Sequence, residues 1–517
     1  MRRAAVQVMV LSVLSKLLGF VREIVLSYVF GASAITDAYL ISQTVPRIIF
    51  ALVGASIATG FVPMYSRVRS ERDRQTADAF TNNLLNALLR LALVTVASVL
   101  VFARPLVRLF ASGFQGPTME LAIKFTRITA FGTFFTGSMS IFASYLRLHG
   151  NFIVPALVGL PMNFVIIGSI FVSSKTSVYA LAIGSVLATI SELLICIPFL
   201  RRVDYVFKPV LDLSDEHLRA MVFIAVPVIV GISVTEINVL VDRTLASRIA
   251  VGGISALNYA RRLNDSIQTI FVTSLTTVFY PLISKMAAEG NMGKLKITLA
   301  EALSLVNLLV VPATVGTMVF PREIVSLLFA RGAFSQEAAA MTSDALFFYS
   351  IGMTAVALRN VLARGFYALQ DTRTPMVNSA IAAAVNVVLN IIFARYLGIG
   401  GLALATSISG ILSVLLMFVS LRRRIGPFGM KQVIVSLIKI SASSIIMGLA
   451  ARASFRFLQA YLTDRSALIP AVIVGVLTYA FLVFILRVPE IERTIGIIKV
   501  RANRSGTREY SDLKRPL

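Results

Sequence analysis

The sequence predicts an all-α integral membrane protein with about fourteen transmembrane helices. Hydrophobic residues make up 57% of the 517 residues and charged residues only 14%, a balance far too apolar for a soluble globular chain. Apolar runs recur from end to end, with the length of about 20 residues that a helix needs to cross a bilayer. They are about twice as long as the strands of an outer-membrane barrel, so the spans are predicted to be helices.

Charge and cysteine content exclude several classes of function. The net charge is +24, but Lys and Arg lie mostly in short connections between apolar runs, which favours membrane topology and anionic lipid over nucleic acid as their purpose. Cys196 is the single cysteine, so no disulfide or thiolate metal cluster can form within the chain. The sequence also lacks a phosphate-binding loop and an H-E-x-x-H motif, and we predict a transporter that is not an enzyme.

The apolar windows fall into two sets of six, followed by two more. The predicted spans lie near 5–30, 36–65, 82–103, 121–147, 152–174 and 178–200, then 220–249, 254–284, 297–320, 338–368, 375–396 and 400–421, then 432–458 and 467–487. The predicted domains are an N-terminal lobe (1–205), a C-terminal lobe (206–425), a pair of further helices (426–490) and a basic cytoplasmic tail (491–517).

Basic loops predict the orientation. Lys and Arg concentrate in alternate connections, and the positive-inside rule then places the N-terminus and the C-terminus in the cytoplasm. The basic connections contain Arg67, Arg69, Arg72 and Arg74, then Arg201, Arg202 and Lys208, then Lys285, Lys294 and Lys296, then Arg422, Arg423, Arg424 and Lys431. No small-residue cleavage site follows Phe20, so the first apolar stretch is predicted to be an uncleaved span.

The two sets of six resemble each other at an offset of about 220 residues. Phe110-Ala-Ser-Gly-Phe114 corresponds to Phe329-Ala-Arg-Gly-Ala-Phe334, and Asn151 to Pro155 correspond to Asp371 to Pro375. Each set has an even number of spans, so the repeats are predicted to be parallel, related by an axis along the membrane normal. The substrate path is expected between the two lobes.

Charged residues inside the predicted spans mark the candidate site. Each would cost about 2.5–3.5 kcal/mol facing lipid at mid-bilayer, so they are expected to face a wet cavity or one another. They are Lys16, Arg22, Glu23, Asp37 and Arg47 in the first half, and Glu236, Asp242, Arg243, Arg261, Arg262 and Asp265 in the second. An excess of Arg suits a diphosphate, and Arg22 and Arg262 are the favoured ligands. Lys16 and Glu23 are seven residues apart and share a helix face, and Asp265 lies three and four residues after Arg262 and Arg261, so partial neutralisation is expected. The alternative for Glu23, Arg243 and Arg261 is ion pairing that holds the bundles together.

An oxygen-rich stripe occurs on the seventh predicted span. Thr235, Asn238 and Asp242 are spaced by three and four residues and therefore share a helix face. Such a stripe is suited to a small cation.

Several motifs then resemble the MurJ (MviN) family, the lipid II flippases of the MOP exporter superfamily, over nearly the whole chain. The fourteen-span count resembles this family too, whereas drug exporters of the superfamily usually have twelve. The motifs are Leu18-Gly-Phe-Val-Arg-Glu23, Phe30-Gly-Ala with Thr36-Asp-Ala-Tyr39, Phe61-Val-Pro63, Tyr259-Ala-Arg-Arg-Leu263, Gly365-Phe-Tyr-Ala-Leu-Gln-Asp-Thr-Arg-Thr-Pro375 and Gly401-Leu-Ala-Leu-Ala-Thr-Ser407.

The resemblance implies translocation of lipid II, an undecaprenyl-diphosphate-linked disaccharide-pentapeptide, from the cytoplasmic to the outer leaflet by alternating access. Arg22 and Arg262 match family arginines in the central cavity, Asp37 matches a family acid, and Lys16 stands where Arg is common. The two C-terminal helices are expected to form a groove for the polyprenyl tail. Family positions that resemble a sodium site correspond to Asp242, Asn386, Asn390 and Thr406, with Asn390 in place of an acid.

The second span departs from the family pattern. Where relatives show an Arg-Arg pair and then Glu-Gly-Ala, this sequence reads Arg47-Ile-Ile-Phe-Ala-Leu-Val-Gly-Ala55, without the acid. The alternative functions are export of another polyprenyl-linked oligosaccharide, a MATE-like cation-coupled drug exporter, and a non-transporting scaffold that recruits cell-wall enzymes through its basic tail. A drug exporter for cations should have an acidic cavity, and the excess of Arg disfavours it.

Overall fold

Helix accounts for nearly all of the backbone, as expected in lipid, where each segment must satisfy its own N–H and C=O groups. The computed structural model describes residues 2–490, with side chains described outside 2–6, 49–56, 58–59, 224–228 and 230–231. Over residues 2–490 it contains α-helices and connecting turns and no β-strand, which confirms the predicted all-α fold. The predicted basic tail at 491–517 lies outside the described residues.

Helices follow one another in the order of the predicted spans. Those of the first half are α1 (Arg2–Phe30), α2 (Ala34–Glu71), α3 (Arg74–Phe110), α4 (Gly116–Thr129), α5 (Gly132–Leu148), α6 (Ile153–Leu157), α7 (Gly159–Lys175) and α8 (Tyr179–Arg202). The rest are α9 (Glu216–Ile249), α10 (Gly253–Gln268), a π-helical turn (Thr269–Thr273), α11 (Ser274–Ala288), α12 (Met292–Val319), α13 (Pro321–Leu328), α14 (Gln336–Ala368), α15 (Arg373–Ile425), α16 (Met430–Leu458) and α17 (Asp464–Ile485).

The helix boundaries differ from the predicted spans in three places. The fourth window is interrupted at Ala130 and Phe131, the fifth is interrupted at Val158, and the eighth contains the π-helical turn. The predicted boundary between windows eleven and twelve is confirmed within α15, where Gly398 has a φ of 56° and a ψ of −133°, outside the helical region. The chain reverses direction there, because Asn378 Nδ2 lies 3.1 Å from Ser420 Oγ although the two residues are 42 positions apart. Within the described residues, nine segments are long and apolar enough to cross a membrane. The protein is therefore a multi-pass membrane protein, and the count of fourteen stays a prediction.

Short polar side chains set where several long helices begin. Asp73 accepts a hydrogen bond from the backbone N–H of Thr76 at 2.7 Å and begins α3. Asp215 does the same for α9 through the N–H of Leu218 at 2.8 Å. Such caps satisfy backbone donors that have no partner within the helix, each worth about 0.5–2 kcal/mol.

Packing divides the chain into two compact units, of which unit 1 comprises Met1–Tyr259, Leu328–Thr342 and Asn386–Leu402. Its helix α2 packs against α3, α4, α5 and α9. An aromatic core joins these helices, with the rings of Phe61, Tyr65 and Tyr145 fully buried. Unit 1 contains most of the predicted charged site.

Unit 2 comprises Ala260–Leu327, Ser343–Val385 and Ala403–Leu517. Its core is formed by side chains such as Leu303, Val310 and Phe366, and α16 packs against both α12 and α17. The predicted lobes, 1–205 and 206–425, rest on the sequence repeats. They stay a prediction, because the units are defined by packing and not by the repeats.

One pair of predicted repeats has the same backbone geometry. The N–H of Asn151 donates to Leu146 C=O, and the N–H of Asp371 donates to Phe366 C=O, both at 2.9 Å. The preceding residue has a positive φ in each case, 78° at Gly150 and 58° at Gln370. This is the Schellman ending of a helix, and it recurs at the offset of 220 residues that the sequence repeat shows.

Asp371 also caps the helix that follows, outside the membrane-spanning segments. Its carboxylate accepts hydrogen bonds from the N–H of Thr374 at 3.0 Å and from the Thr374 hydroxyl at 2.7 Å, and it forms an ion pair with Arg424. Partial burial raises the pKa of Asp371, but the Thr374 hydrogen bonds and the Arg424 charge outweigh it and leave the pKa below its usual value.

Candidate functional site

Arg22 and Glu23 form an ion pair near the end of α1. Arg22 Nη2 lies 2.9 Å from Glu23 Oε1, and Asn258 Nδ2 on α10 donates to Glu23 Oε2 at 3.4 Å. Glu23 is buried, whereas the Arg22 side chain keeps 19% of its surface exposed. Lys16 shares a helix face with Glu23 but is exposed and has no ion-pair partner among the described side chains. Glu23 pairs with the adjacent Arg22, and the neutralisation expected between Lys16 and Glu23 stays a prediction.

Asp37 caps the first turn of α10 from across unit 1. Its carboxylate accepts hydrogen bonds from the backbone N–H of Gly252 at 2.8 Å and of Ser255 at 2.8 Å, and from Ser255 Oγ at 2.7 Å. Only 1% of Asp37 is exposed. This arrangement favours a structural role that ties α2 to α10, and contact between Asp37 and substrate stays a prediction.

Repeated glycines bring loops of the two halves together within unit 1, in what we call the reciprocal loop contact. A Cβ added to Gly113 would lie 2.1 Å from Ser247 C=O, and one added to Gly332 would lie 2.2 Å from Tyr28 C=O. The pairs 28 and 332, and 113 and 247, exchange under an offset of about 220 residues.

The reciprocal loop contact includes two further close approaches by glycine. Gly31 and Gly252, both with positive φ, would each place an added Cβ 2.3 Å from a carbonyl, that of Ala333 and that of Ala32 respectively. The Ala333 N–H also donates to Tyr28 C=O at 2.9 Å. In the predicted orientation these loops lie on the outer side, where the loop after α1 contacts the loop after α9.

Arg47 on α2 faces Glu236 on α9. Both Nη atoms of Arg47 lie 3.5 Å from the two carboxylate oxygens of Glu236, a long two-pronged contact. The Arg47 side chain is 54% exposed and that of Glu236 12% exposed, so Arg47 keeps donors available for another anion.

The predicted basic residues of α10 lie in unit 2. Arg261 Nε is 3.9 Å from Asp265 Oδ2, so this predicted neutralisation is present, although both side chains are about half exposed. Arg262 is also exposed. Arg359 on α14 and Arg261 repel each other electrostatically, so the two guanidinium groups lie in the same region of unit 2. Such an excess of guanidinium suits a phosphate-bearing ligand.

Three of the predicted sodium ligands cluster in unit 1. Asn390 Nδ2 donates to Asp242 Oδ1 at 2.6 Å and to Asn386 Oδ1 at 3.0 Å, and all three residues are buried. Asn390 Oδ1 is buried without a hydrogen-bond partner. The same holds for Asn238 Oδ1, one turn before Asp242 on α9. Thr406 belongs to unit 2.

The donor set of this cluster fits a monovalent hard cation. It combines one carboxylate with amide oxygens, two of which lack a donor, and such oxygens are the ligands that hard cations prefer. Among the described residues no three His, Cys, Asp or Glu side chains converge, so the pattern of a transition-metal site is not found there.

Sequence reasoning missed the partners that come from distant helices. Ser255 and Asn258 on α10 were not predicted, although Gly252 and Gly253 mark a helix start where a capping acid is useful. Arg359, in a long apolar helix, was not predicted either. In the structure Ser255 donates hydrogen bonds to Asp37 and Asn258 donates to Glu23. Arg359 adds a second positive charge near Arg261.

The chain is similar to known proteins over most of its length. The family model of lipid II flippase MurJ matches residues 26–471. A probable lipid II flippase MurJ of Thermotoga maritima is 28% identical over 488 residues, covering 93% of this chain and 96% of the relative. The lipid II flippase MurJ of Burkholderia cenocepacia is 28% identical over 438 residues, covering 82% of this chain and 84% of the relative.

Solved structures give a consistent result. One described as lipid II flippase MurJ in an inward closed conformation superposes with a TM-score of 0.80 and 26% identity, covering 93% of this chain and 98% of that one. An inward-facing multidrug resistance MATE family transporter of the MOP superfamily superposes with a TM-score of 0.68, covering 81% and 98%. Its identity is 16%, so this second likeness concerns the fold alone.

Proposed function

This chain belongs to the lipid II flippase MurJ family, and from that premise we propose that it moves lipid II from the cytoplasmic to the outer leaflet of the bacterial plasma membrane. The observation that carries the proposal is the family match over residues 26–471. The protein is then a transporter of the inner membrane with both termini in the cytoplasm. Lipid II is its substrate, and cell-wall synthesis proteins are proposed partners.

The diphosphate of lipid II is proposed to bind the arginines of the membrane-spanning helices. Support comes from Arg22 and Arg47, whose pairing with Glu23 and Glu236 leaves exposed surface on each guanidinium. Further support comes from unit 2, where Arg262 is exposed and Arg261 and Arg359 share a region. A guanidinium binds phosphate oxygens through two parallel N–H groups, which a lysine cannot match.

Movement of the substrate is proposed to follow alternating access. The reciprocal loop contact and the Asp37 cap support a state closed on the predicted outer side, which must open to release substrate. The proposed driving force is the membrane potential or a sodium gradient, where each charge moved contributes about 2.3 kcal/mol per 100 mV. Asp242, Asn386 and Asn390 would hold the sodium ion, with Thr406 as a further proposed ligand.

The polyprenyl tail is proposed to lie along α16 and α17. These helices pack against each other and present large apolar side chains such as Ile438, Leu449, Leu477 and Phe481, each more than half exposed. An apolar surface of this kind can take a polyprenyl chain as readily as it takes membrane lipid.

A complementation experiment tests the proposal. The chain is expressed in a bacterium depleted of its own lipid II flippase, with lipid II in the outer leaflet measured through cleavage by an externally added enzyme. We expect rescue by the wild type and loss of flipping in Arg22→Ala and Arg262→Ala. Arg67→Ala is the matched control, because Arg67 is exposed and paired with Glu71 at the end of α2.

The outcomes separate the substrate from the site. Failure of a well-expressed wild type to expose lipid II would contradict the proposed substrate. Rescue by the wild type and by both arginine variants would leave lipid II flipping in place but contradict the proposed diphosphate ligands. Rescue without any change in lipid II exposure would favour the scaffold alternative.

A further inference from the structure

The connection between α8 and α9, residues 203–215, runs without helix or strand along the surface of α3. We call this segment the strap. Three asparagine side chains of α3 hold its backbone. The bonds are Asn82 Nδ2 to Val206 O (3.0 Å), Lys208 N to Asn82 Oδ1 (3.1 Å), Asn83 Nδ2 to Asp212 O (2.7 Å), Asp212 N to Asn83 Oδ1 (2.8 Å), and Asn86 Nδ2 to Lys208 O (2.8 Å) and Val210 O (2.9 Å).

The asparagine side chains form hydrogen bonds with the strap like those that the backbone of a neighbouring β-strand would form. An amide side chain offers the same donor and acceptor as a peptide group. Lys208 and Asp212 each have both their N–H and their C=O paired with side chains of α3. Non-helical backbone is tolerated at membrane depth only where its polar groups find protein partners, because lipid offers none. The strap satisfies that condition.

The position of these asparagines sets the depth of the strap. Asn82, Asn83 and Asn86 lie at the beginning of the predicted third span, 82–103, where α3 passes from polar N-terminal turns into an apolar run. The predicted span therefore places the strap at the boundary between lipid headgroups and acyl chains, on the predicted cytoplasmic side.

The strap points one aromatic residue inward and several apolar residues outward. Tyr205 is buried, with its ring 5.0 Å from that of Tyr145 and its hydroxyl 2.8 Å from Asn82 Oδ1. The outward set is at least half exposed and comprises Val206, Phe207, Val210 and Leu213. The strap contains one basic residue, Lys208, and three acidic residues, Asp204, Asp212 and Asp215, so basic charge does not attract it to anionic lipid and its apolar surface is the distinguishing feature.

We propose that the strap is an interfacial membrane anchor, with Val206, Phe207, Val210 and Leu213 inserted among the lipids of the cytoplasmic leaflet. Exposed apolar residues also occur on α8, the helix that leads into the strap, and on α7, for example Leu194 and Phe164. The anchor fixes the connection between the two predicted lobes at the membrane surface. This inference does not depend on the identity of the substrate.

Tryptophan fluorescence tests the anchor directly, because the natural sequence contains no tryptophan. The full chain carrying Phe207→Trp is placed in nanodiscs whose lipids are brominated at a shallow position on the acyl chain. We expect emission typical of an apolar environment and quenching comparable to that of Phe164→Trp, which reports a lipid-facing side chain of α7. Phe80→Trp is the buried control, and its emission should be blue-shifted but not quenched.

Two results would overturn the proposal. The first is emission from the Phe207→Trp protein that is typical of water and unaffected by brominated lipid. The second is emission that is blue-shifted but unquenched, which would indicate a protein partner and would equally contradict a lipid anchor.

Discussion

The carboxylate of Asp37 accepts two hydrogen bonds from Ser255, one from its backbone N–H at 2.8 Å and one from its hydroxyl at 2.7 Å. The two residues are 218 positions apart, and together they join α2 to the first turn of α10. A charged acceptor at this place also interacts favourably with the helix dipole.

Asp37→Asn should weaken this junction, because hydrogen bonds to a charged group contribute about 1.5–3 kcal/mol and the amide removes the charge. We expect the outer side to open more often. In a Cys196→Ser background, cross-linking between Ala32→Cys and Val251→Cys should fall. Asp73→Asn is the matched control, since it removes another capping acid, at α3. An unchanged yield with Asp37→Asn would contradict a role in closure.

Gly113→Ala should have a similar effect for a steric reason. Its added Cβ would lie 2.1 Å from Ser247 C=O, so the reciprocal loop contact cannot form without displacement of the backbone. Overpacking of this kind costs about 1–3 kcal/mol. Accessibility of Ile254→Cys to a water-soluble maleimide, in the Cys196→Ser background, should rise, because Ile254 is only 2% exposed beside this contact. Gly168→Ala is the control, because nothing lies within 4 Å of its added Cβ. Equal labelling in both variants would contradict the proposed closure.

The sequence predicted the helices of this fold well because lipid imposes one structure on long apolar runs. Runs 82–103 and 220–249, for example, lie within α3 and α9. The interruption at Ala130 and Phe131 was not predicted, since both residues keep right-handed helical φ and ψ and are compatible with helix. The break between windows eleven and twelve was predicted, and Gly398, a glycine with positive φ, interrupts the helical geometry there.

For the candidate site, the sequence predicted which charged residues lie within the spans, but it did not predict most of their ion-pair and hydrogen-bond partners. Arg22, Glu23 and Asp37 were found because ionisable groups are rare and costly in spans. Their partners depend on which helices are neighbours, and Glu236 lies 189 positions from Arg47. Spacing along one helix favoured Lys16 for the neutralisation of Glu23, whereas the ion pair that the structure shows joins Glu23 to Arg22. Spacing correctly favoured Asp265 as the partner of Arg261, where both residues lie on the same short segment.

Acid should destabilise the connection between α14 and α15 through Asp371. Its pKa is lowered in the folded protein, so its contribution to stability is present above the unfolded pKa of about 3.9 and is lost as the pH falls through the folded value. Asp371→Asn should lower the melting temperature near neutral pH and reduce its dependence on pH below about 4. Asp212→Asn is the control, as its carboxylate bonds only locally to the Ser214 N–H. Parallel pH profiles for wild type and Asp371→Asn would contradict this.

The buried oxygens of Asp242, Asn386 and Asn390 lead to a last prediction, on sodium. Asn390 Oδ1 has no hydrogen-bond partner, and rotation of its amide would turn that oxygen toward Asp242, where a cation and not a second acceptor is needed. Sodium should therefore raise the melting temperature of detergent-solubilised protein more than potassium at equal ionic strength. A ligand at 100 times its Kd stabilises by about 2.7 kcal/mol.

Asp242→Asn should abolish the difference between the two ions. Asn378→Ala is the control and should retain the difference, because it alters an asparagine of α15 that is bonded to Ser420. Equal stabilisation of the wild type by both ions would contradict sodium as the coupling ion at this cluster.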